Sequence, residues 1–280
     1  MPRLESATKL VRRWLSSIPF FVLLSLILGG LISMAVIPKP NIATITISGL
    51  ILEQAHIDDI VRVLRYARED DSIKAVVLQI DSPGGGASAT EQVYLNLLRL
   101  RQEKPVVVSV GTIAASGGYY VAAASNFIYA EPTSQLGSIG AWVSLPSPEE
   151  LDEDVLTSGL FKATGGSRRK VIGWLETFRQ QFVEAVVSQR GDRLKMSEEE
   201  LSRAEIYTGV ESLKYGLIDD IGTATEAIEK AASLAGIRNY RVVELHIEKP
   251  SLWFFLANME DLKSQTSLVP VYYYLYFEQE

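Results

Sequence analysis

The strongest constraint on the fold is a pair of buried strands that each run towards glycines. Residues 73–80 (IKAVVLQI) and 106–110 (VVVSV) are nearly continuous apolar runs rich in β-branched side chains, as in strands covered on both faces. Amphipathic helices are predicted at residues 56–67 and 89–101, and residues 42–47 (IATITI) form an earlier strand. This repeat of strands and helices predicts an α/β fold with a largely parallel sheet and helices outside it.

Composition excludes several classes of function. The chain has 280 residues, is 47% hydrophobic and carries a formal net charge of −7, which indicates one globular domain with appendages and no affinity for nucleic acid. Cysteine is absent, so there is neither a disulfide framework nor a thiolate nucleophile. Two histidines without clustered carboxylates give no metal signature, and no cofactor is expected.

The N-terminal region has the pattern of a membrane anchor. Residues 18–37 carry no charge, and their length as a helix suits the roughly 30 Å of a bilayer core. Residues 1–17 are basic, so the positive-inside rule predicts a cytoplasmic N-terminus and a single pass through the cell membrane, with the remainder extracytoplasmic. A cleaved signal peptide is the alternative, but no A-x-A site follows, and a retained anchor is favoured.

Ser116 is the candidate nucleophile. It lies between small residues and the pair Gly117-Gly118, where a helix can begin and the next amide can point at an oxyanion. A simpler interpretation makes Ser116 a helix N-cap and nothing more. The strand at 73–80 leads into three glycines, residues 84–86, whose backbone can approach a ligand closely. Together the two loops suggest an oxyanion hole made of backbone amides.

A serine nucleophile needs a base, and histidine is a poor candidate here. His56 and His246 are both predicted to be solvated, which leaves a Ser-His-Asp triad poorly supported. Lys170 opens a long amphipathic helix, beside Arg168 and Arg169. The helix N-terminus and the two arginines favour the neutral amine that a general base requires, although basic loop residues are usually just solvated.

Four motifs occur in order, and together they give the chain a family resemblance. They are DSPGG at residues 81–85, ASGGYY at 115–120, LGSIG at 136–140 and a glycine loop that ends in Lys170. Over residues 42–243 the chain resembles the short, single-domain form of the signal peptide peptidase A family. The resemblance implies a serine protease with a Ser-Lys dyad on the fold shared by Clp protease and the crotonases.

The resemblance also assigns roles to residues. Ser116 matches the nucleophile, Lys170 the general base, and Ser138 the serine that orients the lysine. The positions that match the oxyanion hole are Gly84 or Gly85, together with Gly117.

The lysine loop departs from the family pattern. The family has glycine, two residues, lysine and aspartate, whereas here three residues separate Gly166 from Lys170, and Val171 replaces the aspartate. Arg169 cannot deprotonate, so Lys170 remains the better base, with Lys162 as the fallback.

Family membership would imply acyl-enzyme hydrolysis of remnant signal peptides or other membrane-derived peptides, and a homo-oligomeric ring or dome. We expect the substrate strand to pair with backbone along residues 84–87. Three alternatives share the fold: a membrane protease that works with a stomatin-like partner, a crotonase-type acyl-coenzyme A enzyme, and a catalytically silent scaffold.

The sequence also predicts where the domain ends. A protease domain at residues 40–248 is followed by an apolar and aromatic extension at 249–280. The extension is predicted to contain an amphipathic helix at 251–259 and a strand-like tail at 271–277. We expect the tail to contact another subunit or, as second choice, a membrane surface. Within the domain, a helix is predicted at 149–158 and a strand at 160–163. Trp174 and Phe182 are predicted to face inward from the helix that Lys170 opens.

Overall fold

The protein is described by a computed structural model, which covers residues 18–36, 39–52, 54–144, 158–162, 165–247 and 272–275. The chain divides into two compact units, Met1–Lys39 and Pro40–Glu280. In the first unit the predicted anchor is helical, as α1 (Ile18–Val36). A search of the described residues finds no helix that qualifies as a membrane span, so the anchor stays a prediction.

The second unit begins with alternating strands and helices, as the sequence predicts. In chain order these are β1 (Asn41–Ser48), α2 (Gln54–Glu69), β2 (Ile73–Ser82), β3 (Gly84–Gly86), α3 (Ala87–Glu103), β4 (Val106–Ala115), α4 (Gly117–Ala123), β5 (Phe127–Ala130), β6 (Gln135–Gly137) and β7 (Trp142–Val143).

Helices dominate the remainder of the unit. The elements are α5 (Arg168–Arg190), a 3-10 turn (Gly191–Arg193), α6 (Glu198–Leu201), β8 (Ile206–Thr208), α7 (Gly209–Tyr215), β9 (Asp220–Ile221), α8 (Ala224–Leu234), β10 (Arg241–Leu245) and β11 (Tyr272–Leu275).

The main sheet confirms the predicted parallel architecture. Its strand order is β10-β1-β2-β4-β5-β9, and each neighbouring pair is parallel. Strand β6 runs parallel to the last residues of β4, and β8 adds antiparallel to β6. The carboxyl ends of β2 and β4 therefore meet at one edge, which is where ligands of open parallel sheets gather.

Burial explains why these segments become strands and helices. The central residues of β2 and β4, including Val77 and Val107, are fully buried because helices cover both faces of the sheet. On α2 the predicted inward residues Ile57, Ile60 and Leu64 are all buried, so the predicted helical face is confirmed.

Three local predictions are wrong. His56 is buried rather than solvated, since it lies on the inward face of α2, and neither ring nitrogen has a hydrogen-bond partner among the described residues. Residues 160–162 of the predicted strand form an exposed turn instead. Trp174 is exposed on the N-terminal half of α5, whereas Phe182 of the same helix is buried as predicted.

Further predictions concern His246, the C-terminal tail and two helices. His246 is exposed beside Glu244, as expected. The tail does form a strand, β11, which pairs with β3 and β7 of its own chain, while its contact with another subunit or a membrane surface stays a prediction. Residues 149–157 of one predicted helix and all of the predicted helix at 251–259 lie outside the described residues.

A buried ion pair anchors the C-terminal end of α5. Both terminal nitrogens of Arg190 donate to the Asp219 carboxylate at 2.9 Å, and the two side chains are 1% and 6% exposed. Asp219 also accepts a hydrogen bond from the Ile128 amide of β5 at 2.7 Å. The helix that carries Lys170 at its other end is therefore fixed to the sheet at this point.

We expect Asp219→Asn to lower the free energy of unfolding by about 3 kcal/mol, because it leaves the buried Arg190 guanidinium without its counter-charge. Chemical unfolding of the purified full chain measures the change. The control is Glu199→Gln, which removes an ion pair with Arg203 that is exposed on both sides and should leave stability nearly unchanged. Equal stability of the two variants would contradict the anchoring role.

Candidate active site

Ser116 lies in a sharp turn between β4 and α4. Its φ of 50° and ψ of −119° belong to a region that residues with a Cβ rarely adopt. The backbone is held there because the Ser116 amide donates to the Gly137 carbonyl at 2.8 Å. Although Ser116 occupies the N-cap position of α4, its side chain makes no capping hydrogen bond. The simpler N-cap interpretation is therefore wrong.

Close backbone contact places the end of β2 against the beginning of α4. A Cβ at Gly118 would lie 2.4 Å from the Ser82 carbonyl oxygen, so a residue without a side chain is required there. Ser82 is fully buried, and its hydroxyl donates to the Gly49 carbonyl at 2.6 Å. The DSPGG segment is thus fixed beside the Ser116 turn.

The backbone amides of the glycine loop point to two different edges of β3. The Gly84 amide donates to Ser82 Oγ at 3.1 Å, and the Gly86 amide donates to the Ile51 carbonyl at 3.0 Å. Because successive residues of a strand point to opposite edges, the Gly85 amide faces the other edge of β3. This geometry favours Gly85 over Gly84 as an oxyanion donor.

A second donor comes from α4. Gly117 is the first residue of that helix, so no intrahelical carbonyl is available to its amide. Helix α4 and strand β3 are in contact, so the amides of Gly85 and Gly117 lie on neighbouring elements. Two backbone donors next to a serine are the arrangement that stabilises a tetrahedral oxyanion.

Ser138 and Ser116 occupy equivalent places at the ends of two paired strands. The last pair of β4 and β6 is Ala115 with Gly137, and the residue directly after each strand is a serine. Ser138 also has positive φ, 52°, and its amide donates to the Glu205 carbonyl at 2.8 Å. The structure therefore brings together two of the predicted serines.

Lys170 is placed differently from the serines. It lies in the first turn of α5, where its amide donates to the N-cap Ser167 hydroxyl at 3.3 Å. Its side chain is exposed, and Nζ lies 4.6 Å from the centre of the Trp174 ring. Within the described part of the chain, no hydrogen bond joins Lys170 Nζ to Ser116 or Ser138. Lys162 is exposed as well, in the turn before the glycine loop.

The core behind Ser116 contains several buried aromatic side chains. Tyr119 is fully buried on α4, and burial raises the pKa of its phenol, so the hydroxyl acts as a donor to the Leu217 carbonyl at 2.8 Å. Tyr120 stacks on Tyr94 and meets the edge of Phe182 of α5. These contacts fix the orientation of α4.

Sequence reasoning missed two structural contributors to this site. Ser82 ties the glycine loop to residue 49, and the Gly137 carbonyl holds the Ser116 amide. Both residues lie inside recognised motifs, but only the three-dimensional pairing of strand ends reveals what they bind.

Comparison with known proteins assigns the family. The sequence model of peptidase family S49 matches residues 99–238, and that of Clp protease matches residues 41–136. The chain belongs to peptidase family S49. It is therefore a member of a family of serine peptidases, which confirms the predicted family and class of enzyme.

Individual relatives agree with this assignment. The chain is similar to Protease 4 of Haemophilus influenzae (32% identity, 73% of this chain, 37% of the relative) and to the chloroplastic serine protease SPPA of Arabidopsis thaliana (30% identity, 73% and 32%). It also matches a protein of Synechocystis named as a protease (30% identity, 76% and 80%). The chain thus spans about a third of the length of the first two relatives.

Solved structures share the fold. A 1510-N membrane-bound stomatin-specific protease matches as a serine-to-alanine mutant (20% identity, TM-score 0.51, 77% of this chain and 100% of that chain). Its lysine-to-alanine mutant in complex with a substrate peptide matches with a TM-score of 0.53, at 20% identity, over 80% and 99% of the two chains.

We expect Ser116→Gly to be more stable than Ser116→Ala by about 1 kcal/mol, because glycine adopts the positive φ at this turn without strain. Chemical unfolding of both full-length variants measures the difference. The control position is Ser109, in the middle of β4 and without positive φ, where the glycine variant should be the less stable of the pair. The same order at both positions would show that the Ser116 turn is unstrained.

Proposed function

We propose that this chain is a membrane-anchored serine endopeptidase in which Ser116 is the nucleophile and Lys170 the general base. The observation that supports the proposal most directly is the Ser116 turn, where a nearly buried serine hydroxyl is not used as a helix cap. Gly85 and Gly117 offer backbone amides to the oxyanion beside it. Membership of a peptidase family favours peptides over acyl-coenzyme A substrates.

In the proposed reaction, Ser116 Oγ attacks the peptide carbonyl carbon while neutral Lys170 accepts the hydroxyl proton. The Gly85 and Gly117 amides stabilise the negative charge that develops on the carbonyl oxygen. Lys170 then protonates the leaving amine, and an acyl-enzyme remains. A water molecule, deprotonated by the same lysine, hydrolyses the ester and regenerates Ser116. Ser138, which follows β6 as Ser116 follows the paired strand β4, orients the lysine.

The proposed base requires a change in its surroundings. A lysine loses its proton near neutral pH only when it is desolvated or close to other positive charge, and Lys170 is exposed in the single chain. Ile172 and Trp174 beside it are 54% and 39% exposed, and Leu160 is 86% exposed. We propose that a neighbouring copy in a homo-oligomer covers these apolar residues and desolvates Lys170.

The proposed substrates are remnant signal peptides or other membrane-derived peptides. A relative from Enterococcus faecium bears the name of a signal peptide peptidase, at 26% identity. The apolar helix α1 would retain the enzyme at the membrane where such peptides are released, with residues 1–17 in the cytoplasm and the protease domain outside it. The membrane location and the orientation of the chain go beyond the family assignment, and both are part of the proposal.

A stomatin-like substrate is the second candidate. The solved structures that share the fold bear the name of a stomatin-specific protease, and one contains a substrate peptide. At 20% identity the likeness concerns the fold alone, so cleavage of a stomatin-derived peptide and of signal peptides should be compared in one assay.

We expect Ser116→Ala and Lys170→Ala each to lower kcat on signal-peptide-like substrates by at least about 1,000-fold, because each removes one half of the proton-transfer pair. Lys162→Ala is the matched control, since it removes another exposed lysine from the preceding turn and should stay within about twofold of the parent. Cleavage by the full chain in detergent micelles measures the rates.

The outcomes separate the proposed roles. Loss in Ser116→Ala together with Lys162→Ala, but not in Lys170→Ala, would transfer the base to Lys162. Parent-like cleavage by Ser116→Ala would remove the nucleophile assignment altogether. Sedimentation of each variant shows whether assembly is intact.

A further inference from the structure

Strand β4 contains a bulge just before the Ser116 turn. Between two successive pairs of β2 and β4, residues 111–113 of β4 lie opposite the single residue Asp81. On its other side, β4 pairs with β5 before the bulge and with β6 after it. A bulge bends its strand and changes the direction of the residues that follow, and bulges are common beside active sites for this reason.

Two side chains hold the bulge, one from each side of β4. Asp81 Oδ1 accepts a hydrogen bond from the Ile113 amide at 3.1 Å. Opposite it, the Ser134 hydroxyl donates to the Gly111 carbonyl at 2.5 Å and accepts from the Glu131 amide at 3.0 Å. Ser134 is only 1% exposed, so it fixes the first residue of the bulge from within the protein. Backbone groups that the bulge removes from the sheet ladder thus regain partners.

Asp81 also connects the two loops of the candidate site. Its carbonyl accepts a hydrogen bond from the Gly49 amide at 2.9 Å, and it directly precedes Ser82, which fixes the glycine loop. Its side chain bonds Ile113, shortly before Ser116. The same residue therefore contacts both the strand that leads to the oxyanion donors and the strand that leads to the candidate nucleophile.

We propose that Asp81 and Ser134 are positioning residues for the proposed reaction, which act on Ser116 through the bulge in β4. The proposal rests on the proposed peptidase function, since it names what places the nucleophile relative to the oxyanion donors. Asp81 serves here as a hydrogen-bond acceptor, so an uncharged oxygen in the same place should replace it. A misplacement of about 1 Å in a catalytic group costs on the order of 100-fold in rate.

The first experiment compares Asp81→Ala with Asp81→Asn in the full chain in detergent micelles. Alanine removes the oxygen that accepts the Ile113 amide, whereas asparagine keeps one. We expect kcat on signal-peptide-like substrates to fall about 10- to 100-fold in Asp81→Ala, with KM within about twofold. Asp81→Asn should stay within about threefold of the parent and keep its pH profile, because positioning by an acceptor requires no charge.

The reactivity of the serine is measured separately with a fluorophosphonate, which bonds to Ser116 Oγ with loss of fluoride and needs no peptide strand. Its rate should fall in step with kcat in Asp81→Ala and remain parent-like in Asp81→Asn. The matched control is Asp70→Ala. Asp70 Oδ1 also accepts a backbone amide, that of Ser72 at 2.8 Å, but at the start of β2 and far along the strand from the bulge. This variant should react and cleave like the parent.

Ser134→Ala tests the other side of the bulge. It removes the hydroxyl that bonds the Gly111 carbonyl, and we expect kcat to fall by about the same factor as in Asp81→Ala. Because both side chains act through one bulge, the loss in the double variant should be smaller than the product of the single losses. Losses that multiply would overturn the shared route. Asp81 is exposed, so its variants keep the proposal testable even where loss of the buried Ser134 hydroxyl prevents folding.

The outcomes separate this proposal from the proposed function. Parent-like kcat and phosphonylation in Asp81→Ala would overturn the positioning role, and so would an equal loss in Asp81→Asn, which would make the charge the active feature. If the parent neither cleaves peptides nor reacts at Ser116, the proposed function fails. Hydrogen exchange at the Ile113 amide then tests the bulge alone: faster exchange in Asp81→Ala than in Asp81→Asn supports the hold of Asp81, and equal exchange overturns it.

Discussion

The site depends on the close approach of backbone at the carboxyl ends of three parallel strands. Ser82 of β2 is paired with Ala114 of β4, and Ala115 is paired with Gly137 of β6. Because Gly118 has no side chain, the Ser82 carbonyl can approach the first turn of α4. The candidate nucleophile and the candidate oxyanion donors are therefore positioned by sheet register and not by flexible side chains, which is the preorganisation that catalysis would require.

The same junction concentrates backbone strain. Ser116 and Ser138 both have positive φ, and such conformations cost of the order of 1–3 kcal/mol each. They persist because the paired strands β4 and β6 end directly before the two serines, at the buried residues Ala115 and Gly137. A well-packed parallel core thus provides the stability that an unfavourable turn needs.

The sequence predicts the buried strands and the turn at Ser116 well, since β-branched runs and glycine pairs reflect local requirements, while the role of Ser116 as nucleophile stays a prediction. The buried face of α2 follows from helical periodicity, but the burial of His56 does not, because that residue lies at the margin of the apolar stripe. The exposure of Trp174 and the turn at residues 160–162 depend on which other segments of the protein pack nearby, and local sequence does not reveal these. The pairing of β11 with β3 joins distant parts of the chain through main-chain atoms, and no side-chain pattern encodes it.

The Ser116 turn and Lys170 differ in how firmly the single chain holds them. The Ser116 turn and the amides of Gly85 and Gly117 are fixed by the sheet, whereas Lys170 stands in solvent at the exposed end of α5. The proposed proton transfer requires a desolvated amine, whereas the Lys170 side chain is exposed in the single chain. In the proposed peptidase the nucleophile is therefore preformed, and the base is completed only when Lys170 is covered.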